Sequence, residues 1–61
     1  SMSAGPDILE RARDFVVVTR MTLSEEDAFD AASRAEIDGE PMPVRARQAL
    51  ENYVQRVEVS L

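Results

Sequence analysis

The last third of the chain constrains everything before it. Ala46, Leu50, Tyr53, Val54, Val57 and Leu61 recur at helical spacing, while Arg45, Gln48, Glu51, Asn52 and Gln55 fill the other side. This pattern describes one amphipathic helix, from about 44 to 58, with a single apolar stripe. The stripe must be buried against the remainder of the chain or against another chain. That remainder is short, because the whole sequence has 61 residues. A domain of this size buries only ~60% of the surface that its unfolded chain exposes. Small domains usually add disulfides, a metal or a partner subunit. With no Cys and no His, disulfides and Cys/His zinc sites are excluded. Good helix packing or association with another chain is left.

Two further helices are legible upstream. Residues 1–6 are small, polar and Gly/Pro-containing, and read as a disordered segment. Ser1 before Met2 has the look of a residue left by tag cleavage, and residues 7–61 read as a single helical domain. Asp7 follows Pro6 as a candidate helix cap. Ile8, Leu9, Ala12, Phe15, Val16 and Thr19 then share roughly one face, giving a helix from about 7 to 21. Asp7–Arg11 and Glu10–Arg13 are favourably signed pairs at helical spacing. The run Phe15-Val16-Val17-Val18-Thr19 favours β structure, so a helix passing into a strand near Phe15 is the alternative. The second helix, about 25–38, has Ser24 as its expected N-cap, with Asp27 in the capping-box position and Leu23 stapled over Ala28. Glu25, Glu26 and Asp27 suit the positive end of the helix dipole. Ala28, Phe29, Ala31, Ala32 and Ala35 form a small-residue face that admits a close neighbour. Asp38-Gly39 ends the helix through a left-handed glycine. Glu40-Pro41-Met42-Pro43 is a stiff connector, and Pro43 fits the first turn of the third helix. Val57, Val59 and Leu61 also alternate as a short strand would, so the chain end is open to either form.

Charge and residue types narrow the function classes. The net charge is −5, with 12 acids against 7 bases. Every base is Arg, and the middle of the chain is acidic. General nucleic-acid binding is therefore disfavoured. No run approaches the ~18–20 apolar residues of a membrane span, and the first residues lack a signal-peptide pattern. The expected setting is the cytoplasm, and the Lys-free composition suggests a GC-rich bacterial genome. A serine nucleophile needs a base, and Ser24 and Ser33 have neither His nor Lys in the chain. Asp30, Asp38 and Glu40 do not match an EF-hand spacing. The expectation is no enzyme, no metal and no cofactor, with the acidic run as a solvated helix face.

The anomaly is apolar excess. Val17, Val18 and Met21 fall outside the Ile8/Ala12/Phe15 stripe, so a helix through them would be apolar on more than one side. Phe15, Val17, Val18 and Met21, together with Tyr53, Val57 and Leu61 on the third helix, are the candidate interface residues. Arg11, Arg13, Arg45, Arg47 and Arg56 lie on the first and third helices and give a mildly basic side.

Leu9-x-x-Ala12-Arg13, then Leu23-Ser24-Glu25-Glu26-Asp27-Ala28-Phe29, then an amphipathic third helix loosely resembles the ANTAR domain. That family is a three-helix RNA-binding module of bacterial antiterminators. Asp14 stands where the family has Gly, and the family's Leu-Arg after the aromatic is absent. No functional residue is carried over. The expected fold is all-α, three short helices in a small bundle, dimeric or partner-stabilised. The expected function is a non-enzymatic protein–protein interaction module of the antitoxin, regulator or docking-domain type, binding itself or another protein chain. A dimeric nucleic-acid-binding regulator and an accessory subunit of an enzyme are the alternatives.

Overall fold

The computed structural model describes residues 8–61, which form three helices: α1 (Ile8–Val16), α2 (Leu23–Asp38) and α3 (Val44–Ser60). The expected N-terminal segment, the Asp7 cap and the Asp7–Arg11 pair lie outside the described residues. The all-α, three-helix expectation holds. The strand alternatives near Phe15 and at Val57–Leu61 do not, since the described residues form helices and turns alone.

α3 is the central element. Its Ala46, Leu50, Tyr53, Val54 and Val57 are buried, as the stripe requires. α2 packs against it, and the small side chains of its buried Ala28, Ala32 and Ala35 allow close approach of neighbouring elements. α1 covers the remaining side of the core with Ile8, Leu9 and Ala12. Phe15, Met21, Phe29 and Met42 pack half-buried around this centre. A nine-residue helix has little stability of its own in water, so α1 is held by this packing. Arg11–Glu58 and Arg13–Glu36 tie it to α3 and α2 from the surface. Arg13 therefore pairs across helices, not with Glu10 along its own.

α1 stops five residues short of the expected end. Beyond Val16 the N–H groups of Val18 and Thr19 both donate to the Phe15 carbonyl, at 3.0 and 2.9 Å, closing a turn. Three successive valines and a threonine lose side-chain freedom in a helix. The Tyr53 hydroxyl then donates to the Thr19 carbonyl at 2.5 Å and gives the turn a tertiary anchor. Val17 and Val18 are thus on a connector, not on a second helix face.

α2 also starts earlier than expected, and its cap is Thr22. The Glu25 N–H donates to Thr22 Oγ1 at 3.2 Å, and the Thr22 N–H donates to Glu25 Oε1 at 2.9 Å. This is a complete capping box. Ser24 sits inside the first turn, and Leu23 is exposed, not stapled over Ala28. Thr22→Ala is expected to cost ~0.5–2 kcal/mol, and Ser24→Ala almost nothing, in urea titrations followed by circular dichroism.

The end of α2 follows the sequence. Gly39 takes φ 70° and ψ 28°. Its N–H donates to the Glu36 carbonyl at 3.2 Å, and that of Glu40 to Ala35 at 2.8 Å, the Schellman pattern. No heavy atom lies within 4 Å of where a Cβ would stand. Gly39→Ala should therefore lose ~1–2 kcal/mol through backbone strain alone, measurable as a lower melting temperature with unchanged helical signal. Pro43 occupies the N-cap of α3, one position before the expected first turn, and its carbonyl accepts from the Arg47 N–H at 3.0 Å. α3 runs on through Val59 to Ser60.

Candidate interaction surface

One charged residue is in the wrong place for a solvated acidic face. Glu25 is only 7% exposed. Both its carboxylate oxygens accept from the Arg56 guanidinium, at 2.5 and 2.9 Å. Arg56 also donates to the Arg20 carbonyl at 3.4 Å, and its guanidinium lies 5.3 Å from the centre of the Tyr53 ring. The hydrogen bond from Arg56 holds the Glu25 carboxyl below its ordinary range, against the opposing effect of burial, and the bonds from Thr22 add to the lowering. Pairing with Glu25 raises Arg56 in turn, and burial raises Tyr53. This network fastens the connector between α1 and α2, and the first turn of α2, to the C-terminal half of α3.

The fastening decides where the exposed apolar side chains lie. Val17 and Val18, at 84% and 68% exposure, sit on the connector, and Leu23, at 81%, opens α2. Val59 lies three residues beyond Arg56, on the same helix face. Leu61 continues the Tyr53/Val57 stripe one turn past the end of the core. Val59 and Leu61 are 79% and 85% exposed. The connector and the start of α2, with Val17, Val18 and Leu23, are thus bonded to the same half of α3 that carries Val59 and Leu61, and this is the apolar end of the molecule. Ile37 and Val44, also exposed, flank the 39–43 connector at the other end.

The expected interface residues divide accordingly. Val17, Val18 and Leu61 are on the surface of the apolar end. Phe15 and Met21 are half-buried beneath it. Tyr53 and Val57 are enclosed, at 0% and 1% exposure, and serve the core. Leu23 and Val59, which are not among the expected interface residues, are exposed at the same end. The expected basic side is largely spent in ion pairs: Arg11, Arg13 and Arg56 pair with Glu58, Glu36 and Glu25.

Other features offer less. An open groove between α2 and α3, ≈ 500 Å³ in volume, is floored by Ala28, Ala31, Ala46 and Ala49. Among the described residues no three acidic side chains converge as metal ligands would, and Asp30 pairs with Arg34 at 3.1 Å. No helix among them is long and apolar enough to cross a membrane. No protein-family profile, curated protein or solved structure matches the chain. The likeness to the ANTAR domain thus rests on the residue pattern alone.

Proposed function

We propose that this chain is a small non-enzymatic helical module that acts by binding a protein surface, its own copy or another chain, through its apolar end. The observation that carries this reading is the exposure of Val17, Val18, Leu23, Val59 and Leu61, each at least two-thirds exposed, on the connector, the start of α2 and the C-terminal half of α3 that hydrogen bonds fasten together. Scattered exposed apolar residues are ordinary on protein surfaces, but contiguous apolar patches mark association sites. None of the five belongs to the buried core, so their apolar character is not required for folding.

That separation makes the reading testable. Val17→Asp should change folding stability by less than ~0.5 kcal/mol, as surface substitutions do. It should nevertheless abolish capture of partners, because a charge in a desolvated contact is strongly unfavourable. Capture from extracts of the native cell, identified by mass spectrometry, is the measurement, with sedimentation equilibrium reporting self-association. A folded Val17→Asp protein that keeps every partner and every self-contact of the original would end this reading.

A further inference from the structure

Residues 17–22, the connector between α1 and α2, contribute little to the core. Val17, Val18, Arg20 and Thr22 are exposed, and Thr19 and Met21 are half-buried. Met21 alone among the connector's hydrophobic side chains packs against the core. The polar attachments of this segment converge instead on two residues of α3. The Tyr53 hydroxyl donates to the Thr19 carbonyl at 2.5 Å. Arg56 Nη2 donates to the Arg20 carbonyl at 3.4 Å and to Glu25 Oε1 at 2.9 Å, while Nη1 donates to Glu25 Oε2 at 2.5 Å. Glu25 Oε1 accepts from the Thr22 N–H as well, so the capping box and the ion pair share an atom. Tyr53 and Arg56 are three residues apart, on one face of α3. Local opening occurs where a segment has few buried apolar contacts and is held by hydrogen bonds that solvent reaches. The Arg56 side chain is 45% exposed, so water reaches these bonds.

We propose that residues 17–22, together with the first turn of α2, form a strap that opens as one unit while the three-helix core stays folded, and that Arg56 is its latch. Breaking the Arg56 bonds frees the Arg20 carbonyl and the Glu25 carboxylate. Glu25 in turn holds the Thr22 N–H, so the cap of α2 loosens with the connector. Opening also lifts Met21 from the core and releases the Tyr53 hydroxyl. The core can stay closed, because none of its buried hydrophobic residues lies between residues 17 and 27. Val17 and Val18 ride on the strap, whereas Val59 and Leu61 belong to α3. The position of the strap therefore sets how much apolar surface this end of the molecule presents. The strap is a property of the folded chain alone and does not depend on what the apolar end binds.

Amide hydrogen exchange of the intact chain, followed by NMR at low urea concentrations, tests the strap. The urea dependence of an opening scales with the surface it exposes. The N–H groups of Val18, Thr19, Thr22 and Glu25 make the bonds of the strap. All four should exchange with a weak urea dependence, whereas amides inside α3, from Leu50 to Val57, should show the full slope of global unfolding. Arg56→Met keeps the apolar stem but removes every donor. It should accelerate exchange of the four amides about ten-fold or more, since bonds to a charged group are lost. Tyr53→Phe should accelerate them about five-fold or more, Thr22 and Glu25 included, although neither of these bonds involves the Tyr53 hydroxyl. That remote effect is the signature of a single unit. Circular dichroism checks that the variants are folded, and if Arg56→Met is not, the original chain and Tyr53→Phe decide the matter. Four amides with the urea slope of α3 overturn the proposal, because no strap then opens apart from the core. So does a Tyr53→Phe effect confined to Val18 and Thr19, or a folded Arg56→Met chain in which the four rates are unchanged.

Discussion

Tyr53→Ala is expected to leave the chain largely unfolded at room temperature. The Tyr53 side chain is fully enclosed, between the helices that depend on it. Truncating a buried aromatic side chain to Ala costs ~3–5 kcal/mol through lost burial and the cavity left behind. A single core in a domain of this length seldom supplies more than ~3–5 kcal/mol in all, so one substitution is comparable to the whole stability. Tyr53→Phe separates the two roles of the residue. The ring still fills the core, and only the hydroxyl bond to the Thr19 carbonyl is lost, at ~1–2 kcal/mol. Urea titration followed by circular dichroism should show a folded Phe variant with a lower midpoint and little cooperative transition for Ala. An Ala variant that unfolds cooperatively near the original midpoint would mean that the core closes without this ring.

The same residue shows where sequence reasoning separates from structure. The α3 stripe was legible because a 3.6-residue period over 17 residues has few competing explanations. The alanine face of α2 and the glycine that ends it were legible for the same local reason. What the period cannot state is which chain covers the stripe. Tyr53 and Val57 have the same pattern whether they meet α1 and α2 or a partner molecule, and only the tertiary arrangement assigns them to the core. Leu61 belongs to the same stripe and is left uncovered at the C-cap of α3.

The start of α2 carries a different lesson. The segment Thr22-Leu23-Ser24-Glu25-Glu26-Asp27 contains two overlapping capping patterns, Thr22 with Glu25 and Ser24 with Asp27. The first has the longer Glu at the third helical position, which the motif favours, so its signal was present. The deciding interaction lies 31 residues away, since the Thr22 frame brings Glu25 to Arg56. A local reading sees four consecutive polar residues and infers a solvated face. It cannot see that one of them turns inward to meet a guanidinium from another helix. The end of α1 is similar: the β-branched run is visible in the sequence, but the Tyr53 bond that fixes the turn comes from far along the chain.

Glu25 should also make the fold sensitive to acid. Its carboxylate is bound by Arg56 and accepts from the Thr22 N–H, so protonation weakens contacts that the unfolded chain lacks. Its folded pKa lies below the ordinary 4.5. The stabilising contribution is therefore full above the ordinary value and is lost as the pH falls through the lowered folded one. Glu25→Ala removes the contacts at every pH. Removing one partner of a buried ion pair costs ~3–5 kcal/mol, but the Arg56 side chain is 45% exposed and water compensates part of the loss. A cost of ~1–3 kcal/mol is expected, second only to Tyr53→Ala. Glu25→Gln is the sharper variant, because its amide oxygen still accepts from Thr22 while the titrating charge is gone. Urea midpoints measured from pH 7 down to about pH 3 should fall less steeply for Glu25→Gln than for the original chain. Parallel curves would mean that the acid sensitivity does not come from Glu25 and would reduce it to a cap.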